Sequence, residues 1–278
     1  MKKTGTSLAS LLIATVICFG FTSCKQLYYQ VYEVNSDSLD QKDNSLVYEN
    51  NDLKVMYNLW GENGSIGFIV QNKTDRDIFL DMGQTFFIKN GAAYDYFKNR
   101  EFTTTRTMAE SVDFSLSQSY PGIGGYWPAR YFVPTTVSEL TKLLKGTSKS
   151  VTEKEKELIC VPARAYKVIS EYHINPELKM TCDRHKDFPH STVELESYSA
   201  DSSPLTFKNR LAYSFSKNGE GLKHIENAFY VSGISNYSTK AATEKVKEKV
   251  DCYSKEKVEQ RYFKIGGPNK FYQSYRHR

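Results

Sequence analysis

With 278 residues, 40% hydrophobic and 25% charged, the chain has the composition of a globular protein, not a disordered or fibrous one. Its +5 net charge is unevenly placed. Residues 240–278 hold 11 basic and 5 acidic side chains, Lys2 and Lys3 open the chain, and the stretch from 24 to 239 is therefore slightly acidic. That distribution excludes a basic nucleic-acid-binding core.

The first 23 residues read as an export signal. Lys2 and Lys3 form its positive start, 8–21 (LASLLIATVICFGF) its apolar stretch, and Thr22 and Ser23 the small residues before a cut. The apolar stretch is shorter than the roughly 20 residues a helix needs to span a bilayer, so it predicts a removable signal. The ending Phe21-Thr22-Ser23-Cys24 resembles the lipobox of bacterial lipoproteins. The resemblance implies cleavage before Cys24, diacylation of its sulfur, acylation of the new amine, and the lipid bilayer as a partner. Phe departs from the commoner Leu at the first lipobox place. Lys25-Gln26-Leu27-Tyr28-Tyr29-Gln30 carries no acidic run, and exported lipoproteins of the Bacteroidota type usually have one there. The expected place is then the outer membrane, facing the periplasm.

Residues 24–45 are rich in Asp, Asn, Ser and Gln and read as a flexible tether. Strands follow at 53–59 and 65–71 around Asn63-Gly64, at 77–81 and 84–89 after a turn at 72–75, and at 92–97 after Asn90-Gly91. Asn-Gly pairs between alternating runs signal hairpins because both residues take positive φ. Thr136 and Glu139 form a capping box for a short helix ended by Gly146, with Val137, Leu140, Leu143 and Leu144 on one face. Residues 147–157 read as an exposed polar loop. Strands return at 157–161 and 165–174, interrupted by Pro162, which belongs at a sheet edge or strand start. Residues 204–215 turn through Asn218-Gly219 into 223–234. The fold class expected is mainly β: one antiparallel β-sandwich over 46–238. The charged stretch 243–261 reads as a solvated helix or exposed ribbon within a tail of 239–278 that either touches anionic lipid or an acidic partner or merely solubilises.

Candidate chemistry is sparse. Cys160 and Cys182 lie on segments able to neighbour each other, so a disulfide between them is one arrangement, and free thiols at 160, 182 and 252 the other. Cys182, His185 and His190, near Asp183 and Asp187, fall short of the four ligands of a structural zinc site, so no metal or cofactor is expected. Residues 120–128 (YPGIGGYWP) combine glycines with Tyr120, Tyr126 and Trp127, either a glycan-stacking loop or a crossover with a core-plugging Trp. No G-x-S-x-G elbow or recognisable His pattern supports catalysis.

The stretch 46–97 (LVYENNDLKVMYNLWGENGSIGFIVQNKTDRDIFLDMGQTFFIKNGAAYDYF) resembles a recurring module of Bacteroidota-type lipoproteins, and its strand, Asn-Lys-Thr-Asp, strand pattern resembles immunoglobulin-like accessory domains. The resemblance implies place and fold and no catalytic residue. The function expected is a non-enzymatic envelope lipoprotein that presents its sandwich to another envelope component, a protein or a glycan. The alternatives are glycan binding by the 120–128 loop and a pilin-like subunit completed by a neighbour's strand.

Overall fold

A computed structural model describes residues 26–107, 131–132, 148–249, 253 and 256–277. Its strands in chain order are β1 (Leu27–Asn35), β2 (Asp40–Lys42), β3 (Ser45–Glu49), β4 (Leu53–Tyr57), β5 (Phe68–Asn72), β6 (Ile78–Lys89), β7 (Ala92–Asp95), β8 (Glu101–Thr107), β9 (Tyr131–Phe132), β10 (Ser148–Lys154), β11 (Leu158–Val161), β12 (Tyr166–Ile169), β13 (Thr192–Ser197), β14 (Thr206–Ser214), β15 (Lys223–Ser238), β16 (Thr243–Lys249), β17 (Lys257–Phe263) and β18 (Lys270–Arg276). Two single-turn helices, α1 (Arg184–Asp187) and α2 (Thr239–Ala242), complete the elements.

The large antiparallel sheet runs β11-β6-β14-β15-β1-β18, with β7 added to β6 and β13 to β15. A second antiparallel sheet, β12-β5-β4-β3-β2, packs over part of one face. The core between them follows from strand alternation. Leu53, Val55 and Tyr57 of β4 point inward, as do Ile225 and Phe229 of β15, while His224, Glu226 and Ala228 face water. The mainly β, sandwich-like architecture expected from the sequence is the one observed, and Pro162 directly follows β11, an edge strand.

Two asparagine–glycine turns differ in what they demand. Asn90 and Gly91 have φ of 47° and 84° and close the β6–β7 hairpin in open space, so only backbone conformation selects them. Gly64, at φ 72°, also lacks room: an added Cβ would lie 2.7 Å from Ile174 Cδ1 and 2.9 Å from Phe271 Cγ.

Residues 24–45 are not a tether over their described part. β1 lies between β15 and β18, with Tyr28 opposite Ser238 and Tyr275. Leu27-Tyr28-Tyr29-Gln30-Val31-Tyr32 buries both faces, because Tyr32 enters the sandwich core while Tyr29 and Val31 pack with Phe263, Tyr272 and Ala242 on the opposite side. The boundary at 46–238 is therefore too narrow, since β1 and β18 belong to the main sheet.

The charged tail is a ribbon, not a helix. β16 and β17 pair antiparallel, β9 joins β17, and Lys245 meets Glu259 across the ribbon at 2.5 Å. Glu259 faces Lys247 and bonds diagonally to Lys245, whereas Lys245 faces Arg261 and Lys249 faces Lys257; Phe263 anchors the ribbon beside Trp60, Tyr29 and Tyr272. The stretch read as an exposed loop at 147–157 instead supplies β10, paired with β8. Both strands are rich in Thr or Ser, which suits extended backbone. The helix expected from Thr136 lies outside the described residues.

Candidate functional site

The end of the large sheet where β1 begins carries the most distinctive chemistry. Beyond the reach of the second sheet, the inner face there changes from apolar side chains to amides. Gln30 is fully buried, and its Nε2 donates to Asn236 Oδ1 (2.9 Å) and to the Lys179 carbonyl (2.8 Å). Its Oε1 accepts the Lys179 amide at 2.8 Å. The Tyr32 hydroxyl lies 2.6 Å from Gln30 Oε1 and 2.9 Å from the Glu177 carbonyl. Asn236 Nδ2 donates to the Lys186 carbonyl at 2.9 Å, and Gln273 Nε2 to the Pro176 carbonyl at 2.7 Å. Three side-chain amides from β15, β1 and β18 thus hold residues 176–186 against the sheet by their carbonyl oxygens. Burying these amides is tolerable only because they are bonded. Burial also pushes the Tyr32 hydroxyl pKa far above its ordinary value.

The same device fixes α1. Asp183 caps it by accepting the His185 amide, and buried Asp187 accepts the amide and hydroxyl of Thr181, both at 2.8 Å. The Tyr275 hydroxyl donates to the Asp187 carbonyl at 2.5 Å. Phe188 packs edge-on to Tyr28, near Tyr275, and 4.3 Å from the His277 ring. α1 is therefore rigidly seated beside the start of β1.

That seating gathers cations into a rim. Arg184 and Lys186 project from α1, and Arg276 stands opposite Leu27 in the β1–β18 register. Lys240 lies on α2, whose Thr239 hydroxyl donates to the Leu27 carbonyl at 2.5 Å. The Lys264 ammonium donates to the Lys240 carbonyl at 3.2 Å. All five side chains are exposed, and among the described residues none of them makes an ion pair with a carboxylate. His185 and His190 are exposed at the same end. The exposed carboxylates alongside are Asp183, Glu244 and Glu62, the last accepting the Ser274 hydroxyl two residues before Arg276.

The opposite end of the sheet is built otherwise. Lys223 pairs with Asp52 (2.6 Å), Arg164 with Asp75 (2.9 Å) and Lys73 with Glu49 (2.7 Å). Arg76 lies over the Phe215 ring at 4.2 Å. Hydrogen bonds from Lys223, Arg164 and Lys73 hold the Asp52, Asp75 and Glu49 carboxyls below their usual values. Burial pushes the neighbouring Tyr213 hydroxyl up to about 12.

Of the residues singled out from sequence, Cys24, Tyr120, Tyr126, Trp127 and Cys252 lie outside the described residues. Cys160 and Cys182 do not form the disulfide considered from sequence; both are free thiols. Cys160 sits on edge strand β11 with Sγ 3.7 Å from Asp77 Oδ2, whereas Cys182 is exposed in a turn at φ 61°. Asp183 and Asp187 are committed to capping and turn bonds, and among the described residues no group of three or more His, Cys, Asp or Glu is placed to hold a metal. A cleft of about 350 Å³ opens between Tyr32, Pro176, Leu178, Lys179, Tyr198 and Leu205, beneath the segment the amides hold down. The five rim cations were missed by sequence reading as a group because they are spread over residues 184–276. Only the pairing of β1 with both β15 and β18 unites them. The chain matches no protein-family model, and no curated protein or solved structure is significantly similar to it.

Proposed function

We propose that the chain is a non-enzymatic envelope lipoprotein, held on a bacterial outer membrane by acyl chains on Cys24 and presenting its sandwich to another envelope protein. The signal-like residues 1–23 and the lipobox-like ending before Cys24 are the first support. The observation that carries the reading further is the start of β1 at Leu27, three positions beyond Cys24 and at the rim of the sheet rather than in its interior. Gln26, the first described residue, is exposed, and an anchor this close before β1 would let acyl chains leave the body without crossing the fold. Each buried methylene contributes about 0.8 kcal/mol, so several chains hold the body firmly. Loops that a partner would meet are held in fixed positions by Gln30, Asn72 and Asn236, which are buried, and by half-buried Gln273.

Expression of the full chain in a bacterium, followed by intact-mass measurement of the mature protein and carbonate washing of membranes, tests the reading. The expected product begins at Cys24, carries the mass of its acyl chains and resists the wash. The Cys24→Ser chain should lack that mass and be released. An unacylated mature chain, or equal retention of the variant, would refute the anchored reading.

A further inference from the structure

We infer that the cationic rim around the start of β1 is a contact surface for the anionic phosphate headgroups of a phospholipid bilayer. The inference rests on the anchored reading for its orientation, and on the structure for its charge. Three peptide units separate Cys24 from Leu27, and three residues reach at most about 10 Å in any conformation. Acyl chains on Cys24 therefore bring Leu27 within about 10 Å of the lipid interface, close to the ~8 Å Debye length at physiological ionic strength. There is no room for a spacer that would lift the body out of the surface potential.

The residues arriving first at that interface are the rim cations. Arg276 is the cross-strand partner of Leu27, α2 is bonded to the Leu27 carbonyl through Thr239, and α1 is packed against Tyr28 through Phe188. Arg184, Lys186, Lys240, Lys264 and Arg276 thus ring one strand end. Elsewhere many cations are paired: Lys179 with Glu196 and Lys270 with Glu33 a few residues further along the same sheet, and Lys73, Arg164 and Lys223 at the far end; single exposed cations such as Lys156, Lys167, Arg210 and Lys217 have no ion pair among the described residues. Five exposed cations without ion pairs among the described residues, gathered at the end that the anchor would press to lipid, match a negative surface. Asp183, Glu244 and Glu62 reduce the charge of the five cations without cancelling it. The α1 cations sit on a helical turn fixed by Asp187, Asn236 and Tyr275, so they meet the surface without ordering a loop.

The test removes the anchor, so that it succeeds or fails apart from acylation. Residues 24–278 with Cys24→Ser retain every described strand and helix. This chain is mixed with sedimentable vesicles of phosphatidylcholine alone or with 30% phosphatidylglycerol. It should bind the anionic vesicles and not the neutral ones, and 0.5 M NaCl should release it. A basic residue near an anionic surface strengthens partitioning about fivefold. The combined charge reversal R184E, K186E and R276E should therefore weaken binding at least about 100-fold. Reversal of Lys73, Arg164 and Lys223 at the far end should leave binding within about twofold. Circular dichroism and thermal melting identify any variant that has lost its fold, and for such a variant K186Q with R276Q, expected to weaken binding about 25-fold, replaces the reversal. Equal binding to neutral vesicles, failure to bind anionic ones, or far-end reversals that act as strongly as rim reversals would overturn the inference. So would capture of an acidic envelope protein by the rim in the absence of vesicle binding.

Discussion

Along the 16 residues of β15, about 50 Å of extended chain, the inner face of one sheet is covered in two different ways. Its first half carries Ile225 and Phe229 toward Tyr57 and Phe207, and a second sheet lies over them. Its last half carries Asn236, paired in register with Gln30, and a single irregular segment lies over these amides. Apolar packing is non-directional, so the first half accepts any cover of suitable shape. The amide half accepts only a segment whose carbonyls and amides meet Gln30, Asn236 and Gln273, because each unmet group would be a costly buried orphan. The polar half therefore specifies where 176–187 must lie, and with it where the rim cations point. Asn227, set between Ile225 and Phe229 inside the apolar half, shows the cost side: its Oδ1 accepts the Tyr57 hydroxyl at 2.9 Å, but among the described residues its Nδ2 has no partner.

Substitutions should separate the halves. Phe68 is fully buried beside Tyr57 and Tyr96, and Phe68→Ala should lower global stability by about 3–5 kcal/mol, read as a fall in the urea midpoint with the slope unchanged. Gln30→Leu keeps the volume but strands the Lys179 amide, and should cost about 1–3 kcal/mol. Its hydrogen-exchange signature should be accelerated exchange over 177–187 while β4 and β5 stay protected. Acceleration spread equally over both sheets would show that the polar half is not a separable unit, and no acceleration anywhere would show that the amides do not hold the segment.

The smallest effect concerns acid. Hydrogen bonds from Arg100 lower Glu155 to about 2, its backbone contacts to the Arg100 and Lys98 amides adding to the effect. Because the folded value lies below the unfolded one near 4.5, this contribution is fully present above about pH 4.5 and is lost as pH falls toward 2. The pair is partly open to water, which keeps the contribution to about 1 kcal/mol. Unfolding midpoints between pH 5 and 2 should fall, and Arg100→Gln should flatten part of that fall. An unchanged slope in the variant would remove the assignment.

The hairpins were legible from sequence because their turns require particular residues. Asn90-Gly91 and the 218–219 turn each join the strands expected to flank them. Asn63-Gly64 lies within the connection between the expected strands, but Asn63 also accepts and donates backbone bonds with Asn175 and Tyr272, which makes the loop part of the packing. β1 and β18 were illegible for a different reason. A strand buried on both faces by unlike partners shows no clean alternation, and Gln30 or Gln273 at a core position looks like surface. The identity of their partners depends on pairings across the length of the chain, which no local pattern carries. The rim shares that origin. Lys240 and Arg276 were visible as basic residues of a tail, yet their grouping with Arg184 exists only once the ends of β15, β1 and β18 coincide.

The contact between Tyr32 and Gln273 spans 241 positions of sequence. Because β18 supplies the neighbour on which β1 rests, the earliest strand waits for nearly the last one to emerge before either is sheltered. Such long-range closure is slow compared with local hairpin formation. During biogenesis the aromatic flank of β1 stays bare throughout that wait, which makes it the segment most in need of a chaperone.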